Sequence, residues 1–129
     1  RYIIKTHVVG LVAVANSYKV KLVEEVITTA SASDSVYNLN TDVIDKITVQ
    51  TLDTLPVKHV VEVVAKMKNG AYAGIGLKQP QTASAPLTIQ LQGVNVGELV
   101  TWSCHVAPEY NDYVPNSCKN NDLEVLRSS

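Results

Sequence analysis

The residues from Tyr2 to about Ala30 carry the most constraining pattern in the chain. Apolar side chains fall at Ile4, Val8, Leu11, Ala15, Tyr18, Leu22 and Val26, a series of three- and four-residue steps. That spacing keeps one stripe on one side of a helix with 3.6 residues per turn. Lys5, Asn16, Lys19, Lys21 and Glu25 fall on the other side, no Pro interrupts the segment, and the lone Gly10 costs only about 1 kcal/mol. The pattern predicts one long amphipathic helix of roughly 40 Å. Val and Ile are mediocre helix formers, so a strand reading of Tyr2 to Val14 stays open.

Such a helix is well beyond the usual three turns, so part of it should overhang or need a partner. Its first residues, Arg1-Tyr2-Ile3-Ile4, start inside the apolar pattern with no Asn, Asp, Ser or Thr cap, and they put a cation at the positive end of the helix dipole. We therefore expect the natural chain to extend further back. Ile3, Val9 and Val12 lie off the main stripe, so the first half is apolar on more than one side. One side is expected to meet the chain's own sheet and the other a neighbouring subunit.

With 129 residues, 46% of them hydrophobic and 18% charged, the chain has the size and composition of one globular domain. A net charge of -1 with scattered basic residues gives no general reason to expect nucleic-acid binding. No apolar run is long enough to cross a bilayer, and the opening does not read as a leader peptide.

Beyond the helix, the small and hydroxylated residues Thr28 to Ser35 compete with helical hydrogen bonding and should end it. Ser31 to Leu55 lacks a sustained period and reads as a long surface connection. Within it Thr41-Asp42 could cap a helical turn through Lys46, and Ile47, Val49 and Thr51 could form a brief strand. Lys58 to Lys68 alternates, with His59, Val61, Val63, Ala65 and Met67 on one face. Asn69-Gly70 is a strong hairpin signal and predicts a returning strand over Ala71 to Leu77. Leu87, Ile89 and Leu91 alternate with Thr88, Gln90 and Gln92, giving a strand with one apolar and one wet face. Gly93 to Gly97 should turn the chain into a last strand, Glu98 to His105. The expected fold is α+β, a long N-terminal helix on a four-stranded antiparallel meander. We read it as one domain: helix 1–30, loop 31–57, sheet 58–105, a Cys-bounded region 104–118 and a tail 119–129.

Cys104 and Cys118 lie fourteen positions apart. In a cytosolic protein they would be free thiols, and in an exported one a staple. The segment between them holds two Pro and several Asn and Asp, so no regular strand can fix it. A disulfide there would remove unfolded-state entropy worth roughly 3 kcal/mol.

Catalytic and metal chemistry finds little support. His7, His59 and His105 have no second ligand at metal-site spacing. His105 beside Cys104 has the composition of a thiol–base pair, but adjacent strand residues point to opposite faces. Glu109, Asn111 and Asp112 offer oxygen ligands without the spacing of a calcium loop. The glycine-rich Gly70 to Gly76 lies between strands and not before a helix, which suits a hairpin and not a phosphate cradle. We expect no enzyme activity, no metal and no cofactor.

A long N-terminal helix, an irregular loop, an antiparallel sheet ending in Val100-Thr101-Trp102-Ser103-Cys104, and a second cysteine in Val114-Pro115-Asn116-Ser117-Cys118 resemble the type IVa pilins. Tyr18 to Val26 is also similar to the mid-helix of that family. The likeness runs over nearly the whole chain, on short motifs in a shared order. It implies a structural subunit that polymerises into a helical filament of identical copies, with Ile3, Ile4, Val8, Val9, Leu11 and Val12 as the subunit-packing part of the helix. It implies that Cys104 and Cys118 bound a surface-displayed region, with Tyr110, Asn111, Asp112 and Tyr113 near its exposed tip and available for adhesion to a host or abiotic surface. The family's methylated N-terminal Phe and early Glu belong to a membrane-embedded half-helix that this sequence does not contain, so membrane contact would run through an upstream segment. Implied partners are a prepilin peptidase, an inner-membrane platform, cytoplasmic ATPases and an outer-membrane secretin. The tail past Cys118 is longer than in many members, and a terminal glycan in some pilins would map to Ser129. A secretion pseudopilin, a minor pilin and a secreted glycan-binding module are the alternative readings.

Overall fold

The computed structural model describes residues 2–29, 34–78, 86–96 and 99–127. Helix α1 (Tyr2–Thr29) is continuous, as its period requires. Val8, Leu11, Ala15 and Leu22 of the expected stripe are buried in the core, and Tyr18 and Val26 pack at its margin. This excludes the strand reading of the first half. The side chains of Ile3 and Ile4 lie outside the described part.

The sheet has five strands rather than four. In chain order they are β1 (Ser35–Tyr37), β2 (Ile44–Leu52), β3 (Lys58–Ala65), β6 (Thr88–Val96) and β7 (Leu99–His105), all neighbours antiparallel in the spatial order β1-β2-β3-β6-β7. A separate small hairpin, β4 (Ala71–Tyr72) with β5 (Leu77–Lys78), leaves the sheet between β3 and β6.

Several expectations are corrected here. The long surface connection over 31–55 contains β1 and β2; the brief strand expected at Ile47, Val49 and Thr51 is part of β2, which is longer and buries Ile44, Ile47, Val49 and Leu52. Thr41 does make capping hydrogen bonds, its Oγ1 accepting from the backbone N–H of Ile44 at 2.8 Å and of Val43 at 3.3 Å, but the chain leaves that turn as a strand. A bulge between Ile44 and Lys46 interrupts the two-residue alternation that would have disclosed it. Second, the Asn69-Gly70 turn forms, with both residues at positive φ (55° and 75°), yet β3 does not pair with the returning segment. Gly74 and Gly76 lie in a second turn after only two paired residues, so β3 is flanked by β2 and β6. The turn expected over Gly93 to Gly97 comes later than Gly93: β6 runs on through Val96, which pairs with Leu99 of β7.

Gly93 has a separate role. Trp102 sits opposite it on β7, and a Cβ added at Gly93 would lie 2.8 Å from the indole ring. The missing side chain lets Trp102 lie across the strand, where Lys19 of α1 reaches over the indole at 5.7 Å.

Candidate functional site

Strands β3 and β6 are buried on both faces. Val61, Val63, Ile89 and Leu91 face α1. The outer face, expected to be wet, is covered by the C-terminal tail. Strand register places two rows of side chains across that face: Thr48, Glu62, Gln90 and His105 in one, Gln50, Val60, Gln92 and Ser103 in the other.

The tail crosses those rows in extended form and is held by side chains that read its backbone. Gln90 Nε2 donates to the Glu124 carbonyl at 2.9 Å while its Oε1 accepts from the Glu124 N–H at 2.8 Å. Gln50 does the same with Arg127, both at 2.9 Å. Gln92 Nε2 donates to the Asp122 carbonyl at 2.9 Å. The remaining hydrogen of Gln90 goes to Glu62 and its second lone pair accepts from Gln92, so its amide is fully satisfied although only 2% of the residue is exposed. Gln90 and Gln50 lie two strands apart and in different rows, so the tail crosses the sheet on a diagonal.

Charge fixes the direction. His105 Nδ1 is 2.8 Å from Asp122 Oδ1, Lys58 pairs with Glu124, and Arg127 pairs with Asp34 and donates to the Thr51 carbonyl at 3.0 Å. The Asp122 backbone N–H and then the His105 ring hold the Asp122 carboxyl below its ordinary range. Leu123 and Leu126 are half-buried, while Val125 points to solvent.

One cluster within this face has a catalytic composition. Ser103 Oγ is 2.6 Å from His105 Nε2, whose other nitrogen meets Asp122. The carboxylate is 80% exposed, so water screens it and it holds the imidazole only weakly in the way a buried third group would. The arrangement suits a tether for the tail. Cys104, the neighbour considered from sequence, is on the other face and bonded to Cys118. Among the described residues no group of three or more His, Cys, Asp and Glu comes together to hold a metal.

The Cys-bounded region is ordered by packing. It forms two 3-10 helices, Pro108–Tyr113 and Asn116–Cys118, with Val106 and Val114 in the core. Its expected exposed tip is corrected. Tyr110 is fully buried, its ring edge-on to Tyr72 with centroids 6.2 Å apart and its hydroxyl 3.1 Å from that of Tyr72, which in turn accepts from the Leu87 N–H. Burial, with Tyr72 alongside, pushes its phenol well above the usual value. Tyr113 is half-buried, Asn111 has its Oδ1 buried without a partner, and only Asp112 is fully on the surface.

The helix residues expected to meet a neighbour divide. Val8 and Leu11 are committed to the chain's own core, a second correction, whereas Val9 is 49% exposed and Val12 is half-buried. Ser129 lies outside the described residues. Among the described residues no helix is long and apolar enough to cross a membrane. The outer-face rows were not legible in the sequence; the one signal was Gln at alternate positions of a strand, Gln90 and Gln92. No protein-family model matches the chain, and no curated protein does.

Proposed function

We propose that the chain is the globular part of a fibre subunit of the type IVa pilin kind, in which α1 packs against α1 of neighbouring copies and the Cys-bounded region faces outward. The observation that carries this reading is a 28-residue helix that is apolar beyond the stripe it spends on its own sheet. Val9, Val20 and Ile27 are 49%, 52% and 77% exposed, and a Cβ at Gly10 would touch nothing within 4 Å, so a second backbone has room to approach. The disulfide favours a pilin over a major secretion pseudopilin, which typically lacks it. Adhesion, twitching or DNA uptake would then belong to the assembled fibre, with the peptidase, platform, ATPases and secretin as its partners. The burial of Tyr110 takes it out of the outward surface of the loop, which is made by Pro108, Asp112, Asn116 and Ser117 with the accessible parts of Asn111 and Tyr113 among others.

The test is expression of the chain fused behind the leader and membrane half-helix of a type IVa pilin in a pilus-assembling bacterium that lacks its own major subunit. Surface fibres should appear in electron micrographs, and Val9→Glu or Val20→Glu should abolish them while the secreted soluble domain keeps its circular dichroism spectrum. Absence of fibres with the native sequence, or fibres indifferent to both charges, would reject the reading.

A further inference from the structure

The side chains that hold residues 122–127 come from the sheet and from Asp34 beside it, and the link adds one backbone hydrogen bond, Leu123 N–H to the Asn121 carbonyl at 3.1 Å. Gln50, Gln90 and Gln92 supply amides aimed at a peptide backbone; His105 and Lys58 receive carboxylates two residues apart; Asp34 receives a cation three residues further on. The body end of the link, Lys119 to Asn121, is exposed. Its described anchors include the Lys119 N–H donating to the Asn116 carbonyl, the Val106 N–H donating to the Asn120 carbonyl and the Asn120 amide donating to the Cys104 and Ser117 carbonyls.

We propose that the outer face of the sheet is a binding site for an extended Asp-x-Glu-x-x-Arg peptide, filled within one chain by Asp122 to Arg127 and able to take the same segment from a second copy. The charge order of the site is complementary to that of the tail, and every copy presents that tail. Backbone pairing at Glu124 and Arg127 fixes the register, so a segment shifted by one residue loses its side-chain partners His105, Lys58 and Asp34. A link of three residues gives the tail an effective concentration in the millimolar range, so closure within one chain dominates in dilute solution. Exchange becomes competitive where copies are held at a similar local concentration. The proposal needs only two copies and stands or falls separately from the fibre reading.

Lys58 and Glu124 form an ion pair, so a carbodiimide should join them by an amide with no spacer. Full-length chains grown in light and heavy nitrogen would be mixed, cross-linked and digested, and the Lys58–Glu124 product weighed. Same-isotope products should dominate at micromolar protein, and mixed-isotope products should rise severalfold as protein approaches the millimolar range. Millimolar synthetic Asp-Leu-Glu-Val-Leu-Arg should lower the product within single chains at least twofold, with a scrambled peptide inert. Same-isotope products at every concentration, together with a yield that the peptide leaves unchanged, would overturn the proposal.

Discussion

Gly93 shows how one missing side chain decides a local packing arrangement. The indole of Trp102 and the side chain of Val100 both lie 2.8 Å from where its Cβ would be, so both must shift to admit one. Gly93→Ala should therefore destabilise by about 1–3 kcal/mol despite the better strand propensity of alanine. Urea denaturation followed by tryptophan fluorescence reports both the shift and the displaced ring. His59 carries a different kind of strain. It is buried, its Nδ1 is 2.9 Å from Thr51 Oγ1, and its Nε2 has no hydrogen-bond partner. Burial lowers its pKa, against a smaller opposing pull from Asn95. The unfolded chain thus takes up a proton near the ordinary histidine value of about 6.5 that the folded chain resists. Stability from this group is complete above that value and falls as pH drops below it toward the folded pKa. The melting temperature should decline between pH 7.5 and 5.5, and His59→Asn should flatten that part of the curve. An unchanged slope would assign it to other groups.

At the scale of elements, α1 was legible because its period is unbroken, and the burial of Val8, Leu11, Ala15 and Leu22 follows directly from it. Strand β2 was legible only in part, as the brief strand at Ile47, Val49 and Thr51, because its bulge breaks the alternation and its outer residues Thr48 and Gln50 are polar yet buried. Polar residues normally mark a solvent face; here they mark a face that binds backbone, which no rule of hydrophobic periodicity can disclose. Tyr110 was misplaced for a related reason: flanking Glu, Asn and Asp imply an exposed turn, and only the distant Tyr72 hydroxyl and the core explain its burial. The outer face yields a prediction with a decisive sign. Gln90→Leu adds apolar area worth at most about 2 kcal/mol, but it strips partners from Glu124 N–H and C=O, from Glu62 and from Gln92. Each buried orphan costs about 1–3 kcal/mol, so the variant should lose net stability, about 2 kcal/mol or more. Amide exchange at Glu124 should accelerate in the same variant.

The whole molecule is tied together at β7. This edge strand pairs with β6, bears Trp102 toward α1, carries Cys104 and ends at His105, which holds the tail. Cys118, the other end of the bond, sits at the root of that tail, and the loop between the two buries Tyr110 against the β4–β5 hairpin. Sheet, loop and tail therefore meet at β7, which reaches α1 through Trp102 and Lys19. Cys104→Ser with Cys118→Ser removes a loop constraint worth about 3 kcal/mol by the chain-entropy estimate, within the usual 2–5 for a small exported domain. Because the cross-link acts mainly on the unfolded ensemble, the doubly substituted chain should keep the native helix and sheet content. It should unfold at lower urea in one transition that coincides for helix circular dichroism and for Trp102 fluorescence. Two separated transitions would mean that α1 and the sheet hold together without the closing strand, and would put the centre of cohesion in β3 and β6 instead.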